Sequence, residues 1–389
     1  MDDLQKKVLL YYKIFDEKYI GGSEYVVLHA MESMKGRYDL TLITEKKPNW
    51  EVLNRFYQTS LSDEYVRVLE YAPCQRPLCR FSLIRNLQRA FRFYRRSRFI
   101  RDHAAAFDLR IAFTETVDFG ASAFYYFNFG NFAGFWKKSL LRRLQYIICN
   151  IISRYILKSR TSEEVIRCPQ NHMIANSQWV AEDFEHCFGR PVSYILYPPV
   201  VAEFSKNDWF SRESGFVCVG RVAQDKGIDK IIEILEGVRN LEHPEIHLHI
   251  GGWLDKNSAY VQNIIKMAEK RPWVTLEGVI YGNAKKELFS KHRFALHDCP
   301  NDAFGISVAE YVKAGCVPFV PNQGGSAEIV GIKQLQFGNI DEAVKKIIKY
   351  LDADKIFQQE ILQKLEKNGL RFDLAQWRRD WMSFIDKEI

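Results

Sequence analysis

Cysteine is sparse and scattered in this chain. There are eight in 389 residues (Cys74, Cys79, Cys149, Cys168, Cys187, Cys218, Cys299 and Cys316), with no C-x-x-C and no histidine at zinc-finger spacing. That pattern excludes a disulfide framework and a zinc ribbon, and the thiols read as reduced, buried small hydrophobes. Long apolar runs are missing too: no stretch approaches the roughly 18 residues that a membrane-crossing helix needs. The opening MDDLQKKVLLYYKIF carries acids and lacks a small-residue cleavage site, unlike a secretory signal, so the expectation is a cytosolic chain. With 47% hydrophobic and 26% charged residues the composition is that of an ordinary globular protein, and the length exceeds what one core usually organises, so two domains are expected.

A strong charge imbalance is also lacking, since the formal net charge is only +7. The positive charge is nevertheless concentrated. Arg80, Arg85, Arg89, Arg92, Arg95, Arg96, Arg98 and Arg101 are interleaved with Phe91, Phe93, Tyr94 and Phe99. This segment reads either as a solvated basic helix or as a surface for anionic lipid headgroups or a phosphorylated acceptor. No recognition motif supports nucleic acid. Residues 139–157, SLLRRLQYIICNIISRYIL, mix basic and apolar residues at helical spacing and read as core packing or membrane-surface contact.

What is abundant is the alternation of short apolar runs with helical patterns. KKVLLYYKIF, a turn at Gly21-Gly22, SEYVVLHAMESM and YDLTLIT read as strand, glycine turn, helix, strand. The same rhythm returns in SGFVCVGRV, KGIDKIIEILEGV, EIHLHIGGW, SAYVQNIIKMAEK, WVTLEGVI, NAKKELFSKH, RFALHDC, SVAEYVKAG and CVPFVP, whose strands are apolar on both faces. Pro198-Pro199 can continue neither a helix nor a central strand and marks the boundary. The expected fold is therefore α/β: two Rossmann-like doubly wound domains facing across a cleft, 1–197 and 198–371, with ligands at the carboxyl ends of the strands.

Three places carry candidate chemistry. Gly21-Gly22 opens a helix, where unobstructed amides attract phosphate, although any tight βα turn can use glycine. In GRVAQDKG, Gly220-Arg221 ends a strand and Lys226-Gly227 opens the next helix. A guanidinium fork and a mobile ammonium there suit a diphosphate, the alternative being a surface pair between Arg221 and Asp225. In NDAFGISVAE, Asp302 precedes a turn formed by Ala303, Phe304, Gly305 and Ile306, and Glu310 lies about one helical turn inside. The turn amides can meet an oxygen or phosphate and Glu310 can accept from a pair of sugar hydroxyls; two acids favouring the helix dipole is the simpler explanation.

IGGSEYVVLHAM, IANSQWVAEDF, YPP, FVCVGRVAQDKGIDKII and DAFGISVAEYVKAGCVPFVPNQGGSAEIV together resemble a family 4 glycosyltransferase of the GT-B fold, most closely in the branch of the dolichol-pathway alpha-1,2-mannosyltransferase. The resemblance is dense in the C-terminal half and thin over residues 45–165, and the expectation is a chain without the membrane anchor of that branch. It implies that Arg221 and Lys226 hold the diphosphate of a nucleotide sugar, that Glu310 holds the ribose, that Asp302 and Ala303 to Ile306 address the donor sugar and β-phosphate, and that Gly21-Gly22 closes over diphosphate or acceptor. It also implies that a C-terminal helix, 372–389, packs back on the N-terminal domain.

Two positions depart from the pattern. Asp302 stands where Glu is usual, and FYYFNFGNF offers Asn128 where the family often has His; Asn cannot act as a general base. Glu115 and Asp118 are expected as alternative cleft residues, or as ordinary loop acids. The resulting expectation is a retaining, metal-independent hexosyltransferase without cofactor. Its donor would be GDP- or UDP-linked, GDP-mannose first, and its acceptor a glycan or lipid-linked glycan. Sugar-nucleotide epimerase, phosphorylase and a non-catalytic nucleotide-sugar-binding partner are the alternatives.

Overall fold

The computed structural model describes residues 5–15, 21–72, 79–129, 148, 150–157, 159–200, 204 and 208–389. Most of the 139–157 segment, and Cys74 and Cys149, lie outside the described residues; the described end of that segment contains a π-helical turn, Ile152–Ile156. Residues up to Tyr197 form one compact unit together with Trp377–Ile389, and Pro198–Gln376 form another.

The N-terminal unit holds the strands β1 (Lys7–Tyr11), β2 (Asp39–Thr44), β3 (Val66–Glu70), β4 (Leu109–Phe113), β5 (Phe124–Phe127), β6 (His172–Ala175) and β7 (Tyr194–Ile195). They pair in the order β3-β2-β1-β4-β5-β6-β7, all parallel. The C-terminal unit holds β8 (Glu213–Val219), β9 (His247–Gly251), β10 (Val274–Gly278), β11 (His292–Leu296), β12 (Val317–Pro321) and β13 (Gln336–Phe337), in the order β10-β9-β8-β11-β12-β13, again all parallel. In each sheet the chain builds outward from its first strand and then restarts on the other side. The direction switches between β1 and β4, and between β8 and β11, and the carboxyl ends there are where open α/β sheets receive ligands.

The helices are α1 (Gly22–Met34), α2 (Trp50–Tyr57), α3 (Ser82–Ala104), α4 (Ser162–Arg167), α5 (Gln178–Phe188), α6 (Ile228–Leu241), α7 (Ala259–Glu269), α8 (Gly282–Lys291), α9 (Ile306–Lys313), α10 (Gly325–Val330), α11 (Ile340–Leu351), α12 (Lys355–Gly369) and α13 (Leu374–Glu388). Sequence chemistry sets their faces and ends. In α6 the buried Ile231, Ile232, Leu235 and Val238 recur at helical spacing, each burial contributing about 1.5–3 kcal/mol. Thr161 and Glu164 form a capping box at α4, and the Asn339 side chain accepts from the Glu342 amide at α11. From Trp377 onward α13 belongs to the N-terminal unit: Trp381 is fully buried 6.0 Å from the ring of Phe113, and Phe384 meets Phe124 edge-on.

Two expectations are revised. The glycines at 21 and 22 do not form a tight turn directly after β1: the strand ends at Tyr11, and Gly21 has extended backbone (φ −135°) while Gly22 already begins α1. The basic segment is the long helix α3, but not all of its arginines face solvent. Arg96 pairs with Glu115 at 2.5 Å and Arg101 with Asp118 at 2.9 Å, so these two hold the helix to the loop after β4. Arg80, Arg89, Arg95 and Arg98 are exposed, beside exposed Phe81, Ile84 and Phe91. Among the described residues no helix is long and apolar enough to cross a membrane.

Candidate functional site

In the C-terminal unit the loops leaving β8, β9, β11 and β12 press against one another with almost no spare room. The Gly220 amide donates to the Gly251 carbonyl, and a Cβ on Gly252 would stand 1.7 Å from the Gly220 oxygen. After a 3-10 turn at Gln224–Lys226, Gly227 has φ +58° and enters α6; a Cβ there would meet the Asp298 carboxylate at 2.3 Å. On the far side the Gly325 amide donates to the Asp302 carbonyl, and a Cβ on Gly325 would lie 2.4 Å from the Phe304 Cα. The Gln-Gly-Gly turn thus clamps the 302–304 backbone, which accounts for its glycines.

These loops bring Lys226 and Asp302 together. Lys226 Nζ donates to Asp302 Oδ2 at 2.9 Å and lies 3.7 Å from the Cys299 sulfur, while His297 Nε2 stands 3.3 Å from the same carboxylate oxygen. Burial alone would raise the Asp302 pKa; His297 and Lys226 outweigh it and hold the carboxyl well below the usual range. Burial would likewise lower the Lys226 pKa, but Asp302 and Cys299 raise it, so the ammonium stays charged. Asp298 is also buried at the end of β11, its pKa raised by burial, with Lys230 Nζ at 3.5 Å.

Gly305 (φ +95°) caps α9, where the first amides of a helix have no internal acceptor. Ala303 and Phe304 are buried, and the Phe304 ring packs 5.3 Å from Phe372, so this side chain holds the turn in place from beneath. Glu310 lies inside α9, buried, and accepts from Lys285 Nζ of α8 at 2.6 Å. Next to it, the Tyr311 hydroxyl bonds Val219 at the end of β8. Arg221 stands apart: its guanidinium faces Asp225 at 3.3 Å with both side chains 56% exposed.

The N-terminal unit places Asn128 just past β5, where its amide donates to Ser23 Oγ at 2.6 Å. Gly21 is held by the Tyr57 hydroxyl through both its N–H (3.1 Å) and its carbonyl (3.0 Å). Asn128, Gly21, Gly22 and Ser23 therefore gather at the amino end of α1. Glu115 and Asp118 are engaged elsewhere, Glu115 by Lys13 and Arg96 and Asp118 by Arg101 and Arg160.

Sequence reading missed His297, Asp298 and Lys285. A signal for the first two existed, since His-Asp at the end of the apolar run RFAL is polar chemistry at a buried strand end. Nothing local points to Lys285, which reaches Glu310 only because α8 and α9 are neighbours in space.

Two parallel α/β sheets of this strand order match the GT-B fold of the solved structures named below. Residues 202–371 match the family described as "Glycosyl transferases group 1". Among solved structures, HepE from Anabaena in complex with UDP and glucose is similar, at 15% identity and TM-score 0.66, covering 98% of this chain and 100% of that one. WaaG, a glycosyltransferase involved in lipopolysaccharide biosynthesis, is similar at 15% identity and TM-score 0.65, covering 96% and 98%. So is an alpha,alpha-trehalose 6-phosphate synthase from Burkholderia multivorans, at 10% identity and TM-score 0.66, covering 98% of each chain. At these identities the likeness to solved structures is one of fold. No curated protein sequence matches the chain.

Proposed function

We propose that this chain is a retaining glycosyltransferase that moves a hexose from a nucleoside diphosphate sugar to a glycan or lipid-linked glycan. The observation that carries the reading is the Lys226–Asp302 pair beside the open amino end of α9, in a unit that matches glycosyl transferases group 1. In this proposal Lys226 and Arg221 neutralise the departing diphosphate, with the amides of Gly305 and Ile306 adding fixed dipoles, so charge stabilisation needs no divalent ion. Glu310 takes the ribose hydroxyls in exchange for Lys285. Asp302, kept ionised by its neighbours, accepts from a donor-sugar hydroxyl, and the acceptor oxygen attacks on the face from which the diphosphate leaves. Asn128 and the amino end of α1 serve sugar hydroxyls or phosphate by hydrogen bonding alone. The resemblance in YPP and in the Asp302 motif makes GDP-mannose the first donor to test; UDP-glucose is second, since HepE is similar and its structure contains UDP and glucose.

The exposed Phe81, Ile84 and Phe91, with the exposed Arg95 and Arg98 further along the same segment, suit an anionic membrane surface, where a lipid-linked acceptor resides. A second reading, binding without turnover, is favoured by Asn128, which cannot act as a base. A donor panel of GDP-mannose, UDP-glucose, UDP-galactose and UDP-N-acetylglucosamine, read by release of the nucleoside diphosphate with and without glycan acceptors, separates the two. Release with at least one donor supports transfer; binding of a donor with no release under any acceptor establishes the non-catalytic reading.

A further inference from the structure

At the other end of the second sheet, where β8, β9 and β11 begin, three histidines converge. His247 and His249 project from one face of β9, and His292 starts β11. Their ligand nitrogens lie within 4.8 Å of one another, and the His249 and His292 ring centres are 4.5 Å apart. The strand between them, β8, contributes Gly215 opposite His247 in the ladder. A Cβ on Gly215 would fall 2.3 Å from His247 Nε2 and 2.5 Å from the His292 ring. A glycine inside a buried strand weakens it, and here its absent side chain is what leaves room for the imidazoles.

Each ring is oriented from behind. His292 Nδ1 lies 2.7 Å from the Leu288 carbonyl, His249 Nδ1 lies 2.6 Å from the Glu277 carboxylate, and His247 has a backbone hydrogen bond with Glu245. His292 is fully buried and its Nε2 has no hydrogen-bond partner. A carboxylate completes the set: Glu213 Oε2 is 3.4 Å from His247 Nε2 and 3.6 Å from His292 Nε2. Two ligands on a tetrahedral zinc ion are about 3.4 Å apart, from zinc–nitrogen bonds of about 2.0–2.1 Å. The His247 and Glu213 side chains are 29% and 45% exposed, which gives an ion a path from solvent.

We propose that His247, His249, His292 and Glu213 bind one zinc ion in a closed structural site. Three imidazoles and a carboxylate suit zinc, and four protein ligands leave no open position for chemistry. Glu277 acts as a positioning residue through the His249 ring. The site ties the starts of β8, β9 and β11 together at the rim opposite Lys226 and Asp302, and it takes no part in the proposed transfer.

The test is zinc content and affinity of the full chain after chelator stripping, by equilibrium dialysis with metal analysis, and cobalt substitution read by visible absorption. Wild type should take up one zinc per chain, show the intense absorption of tetrahedral cobalt, and melt higher with zinc than without. Glu277→Gln should weaken zinc binding by about 10- to 100-fold, and the His247→Gln/His249→Gln double variant should lose it. His292 is buried, so the variants are confined to partly exposed residues, and equal melting of wild type and double variant in chelator shows that the fold is retained. Zinc uptake by wild type no greater than that of the double variant overturns the proposal, as does octahedral, weakly absorbing cobalt.

Discussion

The two sheets share one strand order, yet the rims at their switch points hold charge in different ways. In the N-terminal unit the acid after β4, Glu115, is shared between Lys13 and Arg96, and the groups that meet Asn128 and Gly21 at the amino end of α1, Ser23 and the Tyr57 hydroxyl, are neutral. In the C-terminal unit three buried or part-buried acids each have a lysine, Asp302 with Lys226, Asp298 with Lys230 and Glu310 with Lys285. Topology fixes where a ligand is received in both. The residues decide what is received. Lysine–acid pairs beside an open helix end are charges for which a diphosphate and a ribose can compete, whereas an acid locked between two cations and a neutral hydrogen-bonding set suit uncharged hydroxyls.

The contrast between the rims is most exposed at Lys226. If the C-terminal rim handles the leaving diphosphate, Lys226→Ala should lower kcat with the preferred donor by about 10²–10³-fold, in the range seen for removing one charge-stabilising donor. Asn128→Ala should cost less, because it removes a hydrogen bond made to a neutral group. Steady-state kinetics on both variants with one donor settles the order; equal losses would dissolve the distinction between the rims.

Acid should then separate the two units. His29, fully buried in α1, is held down to about 4 by burial and by Arg378. Its folded pKa lies below its unfolded value, so between about pH 6.5 and 4 the unfolded chain binds the proton that the folded chain refuses. The N-terminal unit should therefore lose about 3 kcal/mol over that window as pH falls. Asp302 is depressed from its unfolded value of 3.8, so its contribution is intact above about pH 4 and is lost only below it. Melting temperature against pH should show His29→Leu flattening the upper limb and Asp302→Asn the lower one. A His29→Leu curve parallel to wild type from pH 6.5 to 4 would rule out His29 as the source.

A smaller effect falls on the nucleotide. Glu310→Ala should weaken binding of the donor's nucleoside diphosphate by about 10- to 100-fold, the value of hydrogen bonds to a charged group, while Asn128→Ala leaves it unchanged. Calorimetric titration measures both, and undiminished affinity in Glu310→Ala would remove that residue from the site. Smallest of all is the exposed Arg221–Asp225 pair: Asp225→Ala should change stability by no more than about 1 kcal/mol, read from denaturant unfolding. A larger loss would mean that the pair organises the turn before α6.

The alternation of apolar runs and amphipathic helices makes the C-terminal sheet legible in the sequence nearly strand by strand, because backbone periodicity is local, whereas of the N-terminal sheet only β1 and β2 are read from it. Lys226 and Asp302 are visible there as charges in the loops after strands, and Glu310 as an acid one turn inside the following helix. Their partners are not: His297 hides in an apolar strand end, Lys285 is 25 residues from Glu310, and Arg96 and Arg101 look like their exposed neighbours until α3 is packed. The histidines of β9 and β11 give no hint, since H-x-H is common in sequences and His292 is 43 residues beyond His249.

The sequence by itself determined the order of elements, the boundary at Pro198-Pro199 and the positions of the glycines, because each depends on local propensity or on the few residues that permit a sharp turn. The tertiary structure alone decided which charge faces which, why Gly215, Gly252 and Gly325 tolerate no side chain, and that three separate histidines share one space. Those are matters of distance across strands and helices, and distance is set only when the sheets have closed their cores.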